Sequence, residues 1–378
     1  MSRKATIEAI ETVSIRVPLS RVYRGSQYQM THRSTIVARV HTDVGVVGEA
    51  YVGDEDEGLD KIEEILHEEL APVVLGQELL ASERIWRATR PAAFDILRDR
   101  RLGLVAAAAV DAAVWDAIGK LLGVPLWKLW GGFHDDVAVI SIGGYYDSEL
   151  TVGEEVEILR LRGLAGMKLK VGGRTPEEDA ERFRQARAAG GDDFILCADA
   201  NQGYSPEEAV RFARLVADHG LFWFEEPCRW PNDHRGMRDV RFHSGARVCA
   251  GQSELSATGC LDLINAGAVD FCNFDSSWSG GATEWRRVAA LAAMVDVGMA
   301  HHEEPQMSAH LLASIPHGTF VEVFDPQRDP IWWNLVANRP ALDRGRMRLG
   351  DRPGLGWDLD TDYVGEHLHS SRISAREE

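Results

Sequence analysis

The stretch Gly166-Met-Lys-Leu-Lys-Val-Gly-Gly173 places two lysines one residue apart in an apolar run, and its reading decides the fold. Residues i and i+2 of a strand share a face, so Lys168 and Lys170 point the same way. Further along, polar residues recur at Asp199, Glu225, Gln252, Asp275, His302 and Glu322, with gaps of 29, 26, 27, 23, 27 and 20 residues counted from Lys170. Each follows or ends a short apolar run: FILCAD, LFWFEE, RVCAGQ, VDFCNFD, VGMAHH and GTFVEV. A strand, a helix and two loops together need about 20–35 residues. The rhythm predicts a parallel α/β barrel, whose strands are buried and whose chemistry sits at their C-terminal ends. Acid, base and amide groups from seven consecutive strand ends would then converge on one cavity.

Outward from the barrel, the character of the chain changes. Thr6–Val17 and Ser34–Tyr51 alternate apolar and polar residues, with a turn at Thr42-Asp-Val-Gly45. Helical patterns follow at Gly58–Leu75, at Ser82–Thr89 and at the Ala-rich Leu102–Leu122, which is closed by Gly123 and Pro125. Strands followed by helices predict an α+β domain over residues 1–130. The barrel is expected over 131–339. The tail, rich in Pro, Gly and Trp, is expected to return from 340 to 378 and complete the first domain. Within the barrel, Ser205-Pro-Glu-Glu marks a helix start, with an N-cap, a proline in the first turn and acids at the positive dipole end.

At 378 residues the chain is too long for one ordinary domain. A net charge of -18 argues against nucleic acid as a partner, because phosphates need basic surface. It does not exclude an anionic substrate, since a local site can be positive on an acidic molecule. The five cysteines lack motif spacing and read as buried reduced thiols. No signal-peptide pattern and no 18-residue apolar run are apparent, so a cytoplasmic protein without a membrane span is expected. A homo-oligomer is the expected assembly.

The residues themselves suggest chemistry. Two close ammonium groups disfavour each other's charge and burial acts in the same direction, so one of Lys168 and Lys170 is expected to be a neutral base. Carboxylates at adjacent strand ends, Asp199 and Glu225, are what a hard divalent cation needs; Glu226 is an alternative to Glu225. Asn201 shares a face with Asp199 and could donate to a substrate. Asp275 precedes His302 by one strand, and a carboxylate on a ring nitrogen fixes the tautomer and supports the imidazolium. His301 competes for that role, but strand alternation turns it away. Glu322 could hydrogen-bond a substrate carboxylate.

Taken in order, Lys168-x-Lys170, Asp199-x-Asn201, Glu225-Glu-Pro227, Asp275, His302 with Met307-Ser-Ala-His-Leu-Leu-Ala313, and Glu322 resemble the enolase superfamily, specifically its mandelate-racemase-like subgroup. Val110-Asp-Ala-Ala-Val-Trp-Asp-Ala-Ile-Gly-Lys120, Leu129-Trp-Gly-Gly132 and Pro353-Gly-Leu-Gly-Trp-Asp358 add to it. The resemblance spans nearly the whole chain. It implies a modified TIM barrel, (β/α)7β, capped by an α+β domain built from both ends of the chain. It implies removal of a proton α to a carboxylate, with Mg2+ as the Lewis acid that stabilises the enediolate. Asp199 and Glu225 would be metal ligands, Lys170 one base, and His302 with Asp275 the other. Lys168 would tune Lys170, and Glu322 would bind the substrate carboxylate.

One position departs from the pattern. Where the family usually has an acidic third ligand, this chain has Cys249-Ala-Gly-Gln-Ser-Glu254, so Gln252 is the expected donor and Glu254 the alternative. Of the reactions the resemblance implies, dehydration of an acid sugar, an aldarate such as galactarate, is favoured over racemisation or epimerisation. A non-catalytic scaffold is the remaining reading. The segment Arg21–Arg33 is expected to be the specificity loop, with Arg24, Tyr28, His32 and Arg33 suited to a polyhydroxylated, dianionic substrate. Tyr145 or Tyr146, with Tyr146 chosen, is expected to line the cavity.

Overall fold

The computed structural model describes residues 4–53, 58–229 and 233–376. The outermost residues assigned to the cap, 1–3 and 377–378, lie outside these. The chain opens with three antiparallel strands, β1 (Ile7–Arg24), β2 (Gln29–Thr42) and β3 (Val47–Tyr51). The turn expected at Thr42–Gly45 joins β2 to β3, with Gly45 N bonded to Thr42 O. The segment expected to be a specificity loop is instead an arm. β1 and β2 stay paired out to Arg24 and Gln29, past a register break between Pro18 and Tyr23. A helical stretch then runs from Leu59 to Val74, with a π turn at Leu66–Leu70.

The long helix α1 (Arg100–Leu122) starts on an Asp99 N-cap and stops at Gly123, whose φ of +70° is the left-handed stop expected from sequence. By length and composition α1 could cross a membrane, which corrects the expectation that no such segment exists. It is instead a core helix, packed on β2 and β3 on one side and on a barrel helix on the other.

The barrel has eight parallel strands: β4 (Asp136–Gly143), β5 (Gly166–Lys170), β6 (Ile195–Asp199), β7 (Leu221–Glu225), β8 (Val248–Ala250), β9 (Phe271–Cys272), β10 (Gly298–Met299) and β11 (Phe320–Phe324). Seven helices alternate with them: α2 (Val152–Leu161), α3 (Pro176–Gly190), α4 (Pro206–Leu215), α5 (Asp233–Ser244), α6 (Ala257–Asn265), α7 (Ala282–Ala293) and α8 (Pro305–Ala313). Neighbouring strands pair in chain order from β4 to β10. A parallel bridge from Met299 to Gly318 and the pairing of β11 with β4 close the ring. Three helices start on reciprocal capping boxes, Thr151 with Glu154, Thr175 with Glu178 and Ser205 with Glu208. Each fixes where the preceding loop leaves the barrel mouth. Inside, Trp223 stacks on Phe320 with centroids 4.6 Å apart, and Phe222 and Phe271 pack beside them. This aromatic floor closes the barrel below the strand ends. All five cysteines are buried and free.

The tail divides, where the sequence assigned 340–378 to the cap as a block. The hairpin β12 (Leu342–Asp343) and β13 (Arg346–Arg348) adds antiparallel to β4 and so belongs to the barrel. β14 (Leu368–Ala375) reaches the cap sheet, where it pairs along β1, and between the two Leu355 N donates to Asp116 of α1 at 2.7 Å. The division follows from free edges: the first residues of β4 lack a full partner, and β1 has an open side.

Candidate active site

Three strand ends stand in lateral register. Lys170 on β5 is opposite Asp199 on β6, and Asp199 is opposite Glu225 on β7. One pleat deeper lie Lys168, Cys197 and Trp223, so every second residue faces the barrel axis. Lys170 Nζ donates to Asp199 Oδ2 at 2.6 Å and to Asn201 Oδ1 at 2.9 Å. Lys168 Nζ lies 2.7 Å from Glu225 Oε1 and 2.7 Å from Glu322 Oε1. Glu322 is the middle residue of β11 rather than its end, because the strand continues to Phe324 along β4.

The expectation of a neutral lysine does not hold in this arrangement. Burial pushes Lys168 down, but the charges of Glu225, Glu322 and Asp199 outweigh it and hold its pKa well above the ordinary lysine value. Burial likewise opposes Lys170, and Asp199 overcomes it. The lysines are closer to carboxylates than the sequence argument allowed, and attraction exceeds their mutual repulsion.

Across the ring from β5 stand β9 and β10. His302 Nδ1 meets Asp275 Oδ2 at 2.9 Å, and Asp275 Oδ1 accepts from Ser277 N and Oγ, both at 2.7 Å. Burial lowers the imidazole's proton affinity, but Glu303 and Asp275 raise it further, to about 9. His301 turns away as expected: its Nδ1 meets His302 O, and its Nε2 meets Ser276.

The donor set fits a divalent cation. Asp199 and Glu225 are buried neighbours with oxygen donors, and Gln252 lies just past the next strand, β8. Burial, together with Asp199 and Glu322, pushes Glu225 up to about 8 against the pull of Lys168. The cluster therefore holds more carboxylate than its lysines offset, and a hard cation relieves that imbalance. Trp223 Nε1 donates to Glu225 Oε2 at 3.1 Å, orienting the carboxylate from behind. Among the described residues no three His, Cys, Asp or Glu side chains form a ligand cluster. The Gln252 carboxamide is the neutral oxygen donor beside the two acids: its Oε1 accepts from Asn273 Nδ2 and its backbone N donates to Asn273 Oδ1, each at 3.2 Å. Glu254, the alternative, faces elsewhere and meets His234 Nε2 at 2.7 Å. Glu226 accepts from Ser253 Oγ at 2.5 Å, and burial lifts its carboxyl to about 7.

The cap supplies part of the wall. Tyr28 from the arm lies over Lys170, whose Nζ is 5.5 Å from the ring centroid. Ser26 ties the arm to the barrel by donating to Ala200 O at 2.6 Å. Other expected contacts move. Arg24 is exposed and pairs with Asp147 at 3.1 Å, because its strand carries it out of the mouth. His32 is half-buried on β2, opposite Pro18, with Nδ1 3.0 Å from Thr31 Oγ1. Tyr146 is not the cavity tyrosine: its hydroxyl donates to Asp179 at 3.2 Å and accepts from Gly173 N at 2.8 Å. Gly144, at φ +72°, makes the turn that sends Tyr145 inward instead. Sequence reasoning also passed over Glu303 and Glu304, which take left-handed φ values of +53° and +45°. Glu303 Oε1 is 3.3 Å from His302 Nε2, and Glu303 N donates to Glu322 Oε2 at 3.2 Å. A doubled acid before Pro305 is the one signal that pointed there.

Comparison with known proteins agrees with this geometry. Residues 151–363 match the family described as enolase C-terminal domain-like, and residues 9–131 match the mandelate racemase/muconate lactonizing enzyme N-terminal domain. The chain belongs to the mandelate racemase-like branch of the enolase superfamily. Among the relatives of this enolase superfamily enzyme is a 3,6-anhydro-α-L-galactonate cycloisomerase of Streptomyces coelicolor, 30% identical over 95% of this chain and 98% of the relative. A mandelate racemase/muconate lactonizing enzyme from a marine actinobacterium, solved in complex with magnesium, is 55% identical with a TM-score of 0.93, covering 97% of this chain and 100% of that one. The L-talarate/galactarate dehydratase of Salmonella typhimurium, solved with Mg and L-lyxarohydroxamate, is 27% identical with a TM-score of 0.90, covering 99% and 96%.

Proposed function

We propose that this enzyme is a Mg2+-dependent dehydratase of an acid sugar, an aldarate such as galactarate. One observation carries the reading: the lysine pair on β5 and the Asp275–His302 pair beyond β9 and β10 stand on opposite sides of the barrel ring, with the Asp199–Glu225–Gln252 donor set on the strands between them. Such an arrangement can take a proton from one face of a carbon and deliver one to the other. A relative that is a galactarate dehydratase supports the substrate class.

Asp199, Glu225 and Gln252 would hold the metal. Bound there, Mg2+ would supply Lewis-acid stabilisation of charge developing on the substrate carboxylate and would draw carboxylate charge away from the lysines. Lys170, once deprotonated, takes the proton from the carbon next to the carboxylate. The C–H electron pair forms the C=C bond, and the C–O bond to the neighbouring hydroxyl breaks. His302, protonated at neutral pH, gives that hydroxyl its proton, so water leaves and the enol becomes a 2-keto-3-deoxy acid. Lys168 and Glu322 flank the substrate carboxylate. Asp275 keeps the His302 Nδ1 proton in place, leaving Nε2 as the reactive nitrogen.

The test is a screen of purified enzyme with Mg2+ against mono- and diacid sugars, together with their lactones, reading 2-keto acid with semicarbazide and product mass. A product lighter by one water, lost with EDTA, supports dehydration. The cycloisomerase relative favours a second reading, in which the product has unchanged mass. Deuterium uptake from D2O without loss of water would identify an epimerase.

A further inference from the structure

The Tyr145 hydroxyl is a buried polar atom on the lysine side of the site that the proposed chemistry leaves unused. Tyr145 follows β4 through Gly143 and Gly144. A Cβ on Gly144 would sit 2.2 Å from Leu169 Cδ1, so the tight left-handed turn admits glycine and directs the next side chain into the barrel mouth. The ring is 5% exposed and packs edge-on against Tyr23, with centroids 5.2 Å apart, in a cluster with Ile142, Phe324 and Tyr28. Phenylalanine would fill this space equally well. The hydroxyl alone is anomalous: its oxygen is buried and makes no hydrogen bond of good geometry, with the Tyr28 hydroxyl of the arm as a near polar neighbour. Nearly all buried polar atoms in folded proteins are paired, and an unpaired one asks for an explanation. Its surroundings supply one. Lys170 and Tyr145 are close enough for each to alter the other's proton affinity, and burial pushes the phenol far up, so it keeps its proton.

We infer that Tyr145 is a substrate-binding residue, whose hydroxyl donates a hydrogen bond to an oxygen of the acid sugar on the lysine side. The inference rests on the proposed acid-sugar site and names a contact within it. Tyr28, arriving from the cap, lies over the same lysine, so the cap hairpin and the first barrel loop would grip the substrate together.

The test compares Tyr145→Phe with the wild-type enzyme. Thermal unfolding without ligand comes first, and the variant is expected to melt at or above the wild-type temperature, because an unmet donor has been removed. A melting point several degrees lower would show that the hydroxyl is satisfied within the protein and overturn the inference. Calorimetry with L-lyxarohydroxamate and Mg2+ comes second. Affinity is expected to fall about tenfold or more, the scale set by one lost hydrogen bond in a closed site, with Mg2+ affinity unchanged. Equal hydroxamate affinity in the two proteins would overturn the inference. If the wild-type enzyme dehydrates no sugar yet binds the hydroxamate through Tyr145, the dehydratase reading fails and this one stands.

Discussion

His302 sits between two carboxylates, Asp275 on Nδ1 and Glu303 beside Nε2, and the pair explains its behaviour. Burial favours the neutral ring, but the two acids together lift its pKa to about 9. As the general acid it is loaded below that value, so kcat/KM is expected to fall as pH rises through about 9. Asp275→Asn removes one supporting charge and is expected to move that limb to lower pH; an unmoved limb would remove Asp275 from the role. The folded value exceeds the ordinary 6.5, so the proton also contributes to stability, in full below pH 6.5 and lost as pH rises through about 9. Lys170→Ala and His302→Asn are each expected to fold and to lose at least about 100-fold in turnover. Near-normal rates in either would sink its assignment. Gln252→Glu adds the missing charge and is expected to tighten Mg2+ binding by calorimetry, whereas unchanged affinity would place the third donor elsewhere. These residues were legible because strand-end spacing fixes them. Glu303 was not, and Tyr145 could not be told from Tyr146, because each depends on a backbone turn with positive φ that no periodicity announces.

At the scale of elements, the arm formed by β1 and β2 does two jobs. Its tip brings Tyr28 and Ser26 to the barrel mouth, and its base carries Arg33 inward. Arg33 is 1% exposed and pairs with Glu304 at 2.7 Å and Asp329 at 3.1 Å. Read from sequence, this arginine suited an anionic substrate; in the fold it joins β2 to the loops following β10 and β11. Arg33→Ala leaves two buried carboxylates without that partner and is expected to lose about 3–5 kcal/mol in urea unfolding. A loss below about 1 kcal/mol would mean that water already reaches the pair. A second cross-link runs from α1 to α7. Asp111 accepts from Thr283 N at 3.0 Å and Thr283 Oγ1 at 2.6 Å, in effect capping a barrel helix from the neighbouring domain. The Ala-rich pattern made α1 plain, but the task of its buried Asp111 could be seen only once α7 lay against it.

At the scale of the molecule, a barrel preceded by a cap was readable from the change in periodicity near residue 130. The division of the tail was not, since β12 and β13 are too short to show a period and β14 is mostly polar and exposed. What fixes β14 is the open side of β1 and a polar seam beneath the cap sheet. Ser370 Oγ donates to Glu63 Oε2 at 2.7 Å, and Ser374 Oγ meets His67 Nδ1 at 2.8 Å. A chain ended at Glu366 loses both hydroxyls and the ladder on β1, and is expected to melt at a lower temperature; an unchanged melting curve would show the strand to be dispensable. The same pairing has a consequence in time. β1 precedes its outer partner in the chain by some 360 residues. At about 5–20 residues per second of synthesis, on the order of 20–70 s separate the two. Throughout that interval the arm that places Tyr28 over Lys170 hangs from an unfinished sheet. A polypeptide cut short before β14 would have its barrel and its lysines but an unpaired outer edge on β1, and so an unsecured roof over the site.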